Sequence, residues 1–287
     1  MTSNLTAVVT GSTGGIGAAI ALQLVQAGWS LILVNRSQDK AKVQREELLQ
    51  AVPSASVELV RADLMDLADI AKACAEVARL CDKVDALHNI AGVLTSERRI
   101  SQQGFESNYA VNVLANYAFV AGLRPLLRRS PGEAQSMVLT MSSSAIGRVK
   151  ALEIDELRNP QEIGGLMGAY AHTKLALTAI SAELAPDLAN DRILIRAIDP
   201  GATRTPMTSD NDAMPFFLRW LVPLLFSEPD AQARKIILAA DPANFDQRSG
   251  MLIASGKRRK LPKTIQDAGL RDDLLKAVAA DCADLIG

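Results

Sequence analysis

Hydrophobic positions along this chain recur in two alternating periods. Short apolar runs of four to seven residues are separated by longer stretches in which apolar positions return every three or four residues. The first pattern belongs to buried strands and the second to helices. The runs predict strands at Leu5–Val9, Ser30–Val34, Val57–Val60, Val84–Ile90, Met137–Met141, Ile193–Ile198 and Gly250–Ala254. Helices are predicted from Ala18 to Leu24, Ser37 to Ala51 (closed by Pro53), Leu67 to Leu80, Gln103 to Arg129 and Gly168 to Leu188. Gly28 suits a helix C-terminus, and Ala185-Pro186 marks a kink or an end. Strands alternating with helices predict an α/β fold: a doubly wound, Rossmann-type parallel sheet of seven strands with helices on both faces. No low-complexity linker or internal repeat interrupts the pattern. Residues 1–287 therefore read as a single domain, with any ligand lying across the carboxyl ends of the strands.

Composition narrows the class of partner. With 48% hydrophobic residues and a net charge of −1, the chain has ordinary globular composition and no electrostatic reason to bind nucleic acid or an anionic membrane. Its one basic run, Lys257-Arg258-Arg259-Lys260, reads as a solvated surface loop. Cys74, Cys81 and Cys282 form no Cys-x-x-Cys, and with only His88 and His172 beside them no metal spacing exists. No apolar run approaches the roughly 20 residues of a membrane helix, and no signal segment opens the chain. A reducing cytoplasm is the expected compartment.

The chemistry begins at Thr10-Gly11-Ser12-Thr13-Gly14-Gly15-Ile16-Gly17, between the first strand and the first helix. Such a turn needs residues that tolerate φ > 0 and admit a ligand close to the backbone. The helix behind it aims unpaired N–H groups and its positive dipole end at the turn, which is an anion site suited to pyrophosphate. A tight connection with no ligand is the competing reading of the glycines alone. The second strand ends in Asn35-Arg36. An acid at its end would accept from the ribose 2′-OH of NAD; Asn35 is not acidic, and Arg36, with Lys40 one turn on, can pair with a 2′-phosphate. This favours NADP, with NAD as the alternative; a plain surface arginine at a helix start competes. Further on stands Tyr170-Ala171-His172-Thr173-Lys174, whose ends share one helix face. An ammonium beside a phenol stabilises the phenolate and lowers its pKa, making Tyr170 an acid/base for a carbonyl or an alcohol.

The glycine spacing, Thr-Gly-x-x-x-Gly-x-Gly, followed by Tyr-x-x-x-Lys, resembles the short-chain dehydrogenase/reductase family. The resemblance runs from about Leu5 to Thr205, with a weaker echo at Ser249-Gly250. It implies that Gly11, Ser12, Thr13, Gly15, Ile16, Gly17, Asn35 and Arg36 line the cofactor. Asp63 would contact the adenine amino group, with Leu64 following. Asn89-Ile90-Ala91-Gly92 is similar to the family's Asn-Asn-Ala-Gly, with Ile90 replacing the second Asn; Asn89, Ala91 and Gly92 would let the cofactor pass. The resemblance further implies a catalytic set of Asn112, Ser143, Tyr170 and Lys174, with Ser144 as the alternative serine and Lys174 also on the nicotinamide ribose. Asp199-Pro200-Gly201-Ala202-Thr203-Arg204-Thr205 is similar to the family's Pro-Gly segment. Pro200, Gly201, Thr203, Thr205 and Ile198 are then candidates to flank the nicotinamide. His88 and His172 receive no role.

Two departures from the family pattern carry information. Ile90 is one, and the long interval between Ser143 and Tyr170 is the other. The longer form, with Asn35-Arg36 and Lys40-Ala41, resembles the retinol-dehydrogenase-like branch. Residues 206–228 would form a substrate lid. They hold three of the six Phe and one of the two Trp, which favours a bulky, apolar carbonyl or alcohol; packing on the core and contact with a membrane surface are the competing readings. Surplus apolar positions in the helices at Asn108–Leu127 and Gly168–Leu188 predict a homodimer or homotetramer. The leading expectation is an NADP-dependent oxidoreductase. A non-catalytic dinucleotide-binding regulator or scaffold, and an epimerase or dehydratase using the same tyrosine, are its rivals.

Overall fold

The structure, a computed structural model, describes residues 5–95, 97–163, 168–201, 203, 228–241 and 247–283. Its strands are β1 (Thr6–Thr10), β2 (Ser30–Asn35), β3 (Val57–Arg61), β4 (Ala86–Asn89), β5 (Ser136–Met141), β6 (Ile193–Asp199), β7 (Met251–Ala254) and β8 (Lys257–Arg259). They form one sheet in the order β3-β2-β1-β4-β5-β6-β7-β8, parallel throughout except at β7–β8. The helices are α1 (Gly15–Gln26), α2 (Gln38–Ala51), α3 (Leu67–Leu80), α4 (Ser107–Leu127), α5 (Ile154–Arg158), α6 (Ala169–Asn190), α7 (Pro229–Ala240) and α8 (Ala268–Asp281). Alternate strand residues feed two cores. Val8, Leu87, Val138 and Ile195 pack with α3, α4, α6 and α8 on one face. Ala7, Val9, Leu139 and Leu194 pack with α1 and α7 on the other. The strand order reverses between β1 and β4, and the crevice at their carboxyl ends is where such sheets bind ligands.

The structure differs from the pattern-based reading in four places. The basic run is not a loop but β8, an eighth, antiparallel strand. Ser255 (φ 52°) and Gly256 (φ 68°) are both left-handed, which makes a two-residue hairpin turn. The exposed charges of β8 then guard the sheet edge against pairing with another chain. Helix α4 begins at Ser107 rather than Gln103. Gly104 (φ 86°) turns the chain, and the buried Glu106 side chain caps the helix by accepting from Asn108 N at 2.8 Å. Helix α6 passes through Pro186 to Asn190 without ending. The carbonyl that proline leaves without its usual donor, on Ala182, lies beside Gly250, where a Cβ would fall 2.9 Å from Ala185 Cβ and 3.3 Å from that oxygen. The fourth difference concerns the surplus apolar face of α4 and α6. Helix α8 of the same chain covers part of it, burying Leu274, Val278 and Cys282. Asp281 fastens α8 there, accepting from Tyr109 Oη at 2.8 Å and from Arg158 Nε and Nη2 at 2.8 Å each.

Helix α4 is long and apolar enough to cross a membrane, but two thirds of its most apolar window is buried inside the protein. Cys74 of α3 packs against it at Gly122, where a Cβ would meet the thiol sulfur at 2.8 Å.

His88, in the middle of the sheet, is 2% exposed, and its Nδ1 has no partner. Burial lowers its pKa from 6.5 to about 4. The unfolded chain therefore takes up a proton below pH 6.5 that the folded chain refuses. Stability from the neutral ring is complete above 6.5 and is lost as pH falls towards 4. Unfolding in urea at pH 7 and at pH 4.5 should show about 2–3 kcal/mol less loss on acidification in His88→Leu than in the wild type. Equal losses in the two proteins would assign the acid sensitivity to other groups.

Candidate active site

The glycine turn is shaped by close backbone crossings. Gly11 (φ 69°) leaves β1 against the end of β4, where a Cβ would fall 2.7 Å from Ala91 Cα. A Cβ on Gly17 would fall 2.2 Å from the Gly11 carbonyl oxygen. Both positions therefore need glycine. The N-cap of α1 is Gly14, and no side chain caps the helix, so its first amides face the turn without a side-chain acceptor. Thr10 Oγ1 accepts from Ala91 N at 3.2 Å and ties the two strand ends together. Ile16 and Ile90 are partly buried against the core beneath.

Around the end of β2 the side chains divide. Ser12 and Asn35 are buried and turned inward: Asn35 Nδ2 donates to Ser12 Oγ at 2.8 Å, and Ser12 Oγ donates to Gln44 Oε1 of α2 at 2.7 Å. The Ser12 hydroxyl and Asn35 Nδ2 are thus committed inside the protein. Arg36 and Lys40 are exposed, and Arg36 has no ion-pair partner among the described residues. At the end of β3, Asp63 Oδ1 accepts from Met65 N at 3.0 Å. The cap of α3 is Asp66, accepting from Ala68 N at 3.0 Å, so Asp63 makes a local turn and does not start the helix. Asp63, Met65, Ile100 and Ser101 line an open cavity there. Leu64 packs against the core.

Asn89, expected along the cofactor path, is 2% exposed and donates to the Asn116 carbonyl at 3.2 Å. It braces α4 from below. Helix α4 is π-wound over Ala110–Leu114, and the wider turn carries Asn112. Asn116 Nδ2 fills the loosened ladder, donating to the carbonyls of Val111 (3.3 Å) and Asn112 (3.1 Å). Asn112 then faces the site. Its Oδ1 accepts from Val93 N at 2.9 Å, and its Nδ2 donates to Val93 O at 2.9 Å and Thr173 Oγ1 at 3.1 Å. Thr173 in turn donates to the Tyr170 carbonyl at 2.9 Å. A Cβ on Gly92 would fall 3.0 Å from Asn112 Oδ1 and 3.1 Å from Lys174 Nζ. Gly92, Asn112 and Lys174 therefore meet at one point.

Tyr170 and Lys174 lie on one face of α6, with Nζ 5.8 Å from the ring centroid. Lys174 is 3% exposed, and burial lowers its pKa to about 8. The Tyr170 phenol moves up, contrary to the expectation from the lysine. Burial is the main cause and the Asp199 carboxylate adds to it, while the Ser143 hydroxyl works the other way. Of the three serines after β5, Ser142 is buried and bonded to Thr178 Oγ1 at 2.8 Å. Ser144 is exposed, and Ser143 is the one beside the phenol. Asp199, at the end of β6, went unassigned in the sequence although the segment containing it stood out. It is half-buried, and burial raises its pKa against the N–H groups of Gly201 (2.9 Å) and Ser144. Pro200 and Gly201 (φ 77°) follow at the mouth of the site. Thr203 is buried and donates to the Gly201 carbonyl at 3.1 Å. Ile198 packs into the core with α1 and α7. Thr205 and residues 206–227 of the expected lid lie outside the described residues. His172 Nδ1 bonds the Gly168 carbonyl at 3.0 Å and takes no part.

Comparison with known proteins bears on the family and the fold. A family model described as enoyl-(acyl carrier protein) reductase matches residues 11–224. Mouse retinol dehydrogenase 13 is 28% identical over 269 residues, covering 90% of this chain and 77% of that protein. Human polyprenol dehydrogenase is 27% identical over 260 residues, covering 88% and 78%. The chain spans only 61% and 60% of the length of two other curated relatives. Among solved structures, the Brucella melitensis 3-ketoacyl-(acyl-carrier-protein) reductase complexed with NADH has a TM-score of 0.68 at 23% identity, covering 88% of this chain and 97% of that one.

Replacing Asn116 by Ala removes the amide that donates to the Val111 and Asn112 carbonyls. Urea denaturation should show a loss of about 1–3 kcal/mol. An unchanged midpoint would mean that the turn holds without the amide.

Proposed function

Because the chain belongs to the short-chain dehydrogenase/reductase family, we propose that it interconverts a carbonyl and an alcohol by hydride transfer with a nicotinamide dinucleotide. One observation carries the reading: Asn112, Ser143, Tyr170 and Lys174, drawn from α4, the end of β5 and α6, converge at the carboxyl edge of the sheet beside the glycine turn. The residues fit the cofactor. Gly11 and Gly17 let β1, β4 and α1 cross closely enough to shape the turn, Gly92 lets Asn112 and Lys174 approach the backbone, and the uncapped start of α1 offers amides to a pyrophosphate. Gly15, Thr13, Ile16, Ala91, Pro200, Gly201 and Thr203 complete the cradle, and Lys174 takes the ribose. When bound, the dinucleotide supplies the hydride.

The protein's own groups handle the proton and the developing charge. Tyr170, held in its phenol form by burial, donates to the carbonyl oxygen in reduction and takes the proton back in oxidation. Ser143 bonds the same oxygen and steadies its charge. Asn112, tied at both ends of its amide to Val93, fixes the floor beneath Lys174. A scaffold without turnover would have no use for this set, which argues against the non-catalytic alternative.

The finer parts of the reading rest on fewer residues. NADP is preferred to NAD because Arg36 is exposed and no acid stands at Asn35. The substrate is a bulky apolar carbonyl or alcohol, from the aromatic density of residues 206–226 and from two relatives whose names carry apolar alcohols, retinol and polyprenol. The free thiols of Cys74, Cys81 and Cys282 suit a reducing cytoplasm. Pairing as a homodimer or homotetramer rests on the family resemblance, since α8 meets part of the apolar demand on α4 and α6.

Two variants test the proposal by absorbance of the reduced nicotinamide with apolar aldehydes. Tyr170→Phe should lower kcat by about 10²- to 10⁴-fold with dinucleotide affinity nearly kept; a near-normal rate would sink the mechanism. Arg36→Asp should lose NADPH affinity by about tenfold or more while NADH affinity holds or improves. Wild-type protein that binds both forms equally would remove the basis for NADP.

A further inference from the structure

We propose that Gln44 is a positioning residue for the cofactor: it clamps Ser12 and so fixes the glycine turn in its anion-receiving shape. The proposal rests on the dinucleotide reading of the site. Gln44 sits on α2 in the buried stripe Ala41, Gln44, Leu48, the one polar member of an otherwise apolar face. It is 6% exposed, and a buried amide at such a place must find its partners inside the protein. It finds both on a single residue. Its Oε1 accepts from the Ser12 hydroxyl at 2.7 Å, and its Nε2 donates to the Ser12 carbonyl. Asn35 Nδ2 closes the set by donating to the Ser12 hydroxyl at 2.8 Å.

Two contacts from one planar amide hold the Ser12 side chain and its peptide plane together. That plane also contains the Thr13 N–H, which points opposite to the Ser12 carbonyl because the peptide is planar and trans. With the carbonyl drawn towards α2, the Thr13 N–H is turned away from α2. It has no partner among the described residues. The clamp thus orients an open donor in the middle of the turn. It also joins the turn to the helix that carries Lys40 and follows Arg36, so that the phosphate-binding and 2′-binding ends of the site keep one spacing. Ser12 itself is fully buried, and its hydroxyl serves this internal network.

A positioning role and a packing role predict different things. Loss of the clamp should weaken NADPH and NADH by the same factor, whereas a contact to the 2′-phosphate would affect NADPH alone. Calorimetric titration of both dinucleotides should give Kd values raised about tenfold for each in Gln44→Leu. The double variant Ser12→Ala/Gln44→Leu removes the hydroxyl together with the amide and leaves the Ser12 carbonyl and Asn35 Nδ2 without these partners, so both affinities should stay weak. Hydrogen exchange of the amides at 11–17 should be faster in both variants than in the wild type. Unchanged affinities in Gln44→Leu, or affinity restored in the double variant, would overturn the proposal. If wild-type protein binds neither dinucleotide, the cofactor reading fails separately, and unchanged exchange at 11–17 in Gln44→Leu would overturn the clamp as well.

Discussion

The contact on which the rest of the site depends is the crossing of three backbones at Gly11. The end of β1, the end of β4 and the first turn of α1 approach so closely there that a Cβ on Gly11 or Gly17 would sit 2.7 Å or 2.2 Å from main-chain atoms. Such a crossing fixes the distance between the start of α1 and the Ala91-Gly92 segment. Everything that would handle a dinucleotide is measured from those two places. Gly92 passes the constraint on, since its bare Cα leaves room for Asn112 Oδ1 and Lys174 Nζ, which a Cβ there would meet at 3.0 and 3.1 Å. Adding one methyl group at either glycine would have to move a strand end or a helix, because both are packed on their far sides by the two cores.

From Gly92 the order spreads through side-chain amides and not through packing alone. Asn89 supports Asn116, Asn116 repairs the π turn, and the turn aims Asn112 at Val93 and Thr173. The carbonyls of Val111 and Asn112, at the wider turn, accept from the Asn116 side chain. Each amide donates to the backbone of the next part of the set, so the position of each follows from the one before. Gln44 does for the glycine turn what Asn116 does for α4: both are polar residues inside buried helix faces, and both hold a backbone carbonyl.

How much of this the sequence discloses follows from the range of the signals. The glycine spacing, Tyr170 and Lys174 were legible because turn chemistry and the four-residue helical repeat are local. The strands were legible because both faces of a parallel sheet are buried and read as plain apolar runs. What escaped depends on partners distant in the chain. Gln44 in the Ala41–Leu48 stripe was a visible irregularity, but its partner Ser12 lies 32 positions away. Nothing local marks a π turn at Asn112. Ser255-Gly256 does carry a hairpin signal, which the charges of β8 masked. The surplus of apolar residues on α4 and α6 points, on the sequence, to an interface between subunits. Helix α8, far along the chain from both, meets part of it.

The two titrating groups at the centre illustrate the same point about context. On the sequence, a lysine four residues after a tyrosine argues for a lowered phenol. In the fold both are buried, and removal from water disfavours the charged form of each. The phenol moves up and the ammonium comes down to about 8. Their mutual attraction at 5.8 Å from nitrogen to ring centroid does not outweigh that loss of solvation. Among the described residues around the phenol, Ser143 favours the anion and Asp199 opposes it. The resting site therefore holds its proton on Tyr170. A carbonyl oxygen that gains charge beside it meets a donor already in place, with Ser143 as the second. The phenolate left behind is poorly solvated and faces a carboxylate, so it recovers its proton readily. In the proposed reaction, burial, which works against the phenolate in the resting protein, favours the return of Tyr170 to its donor form.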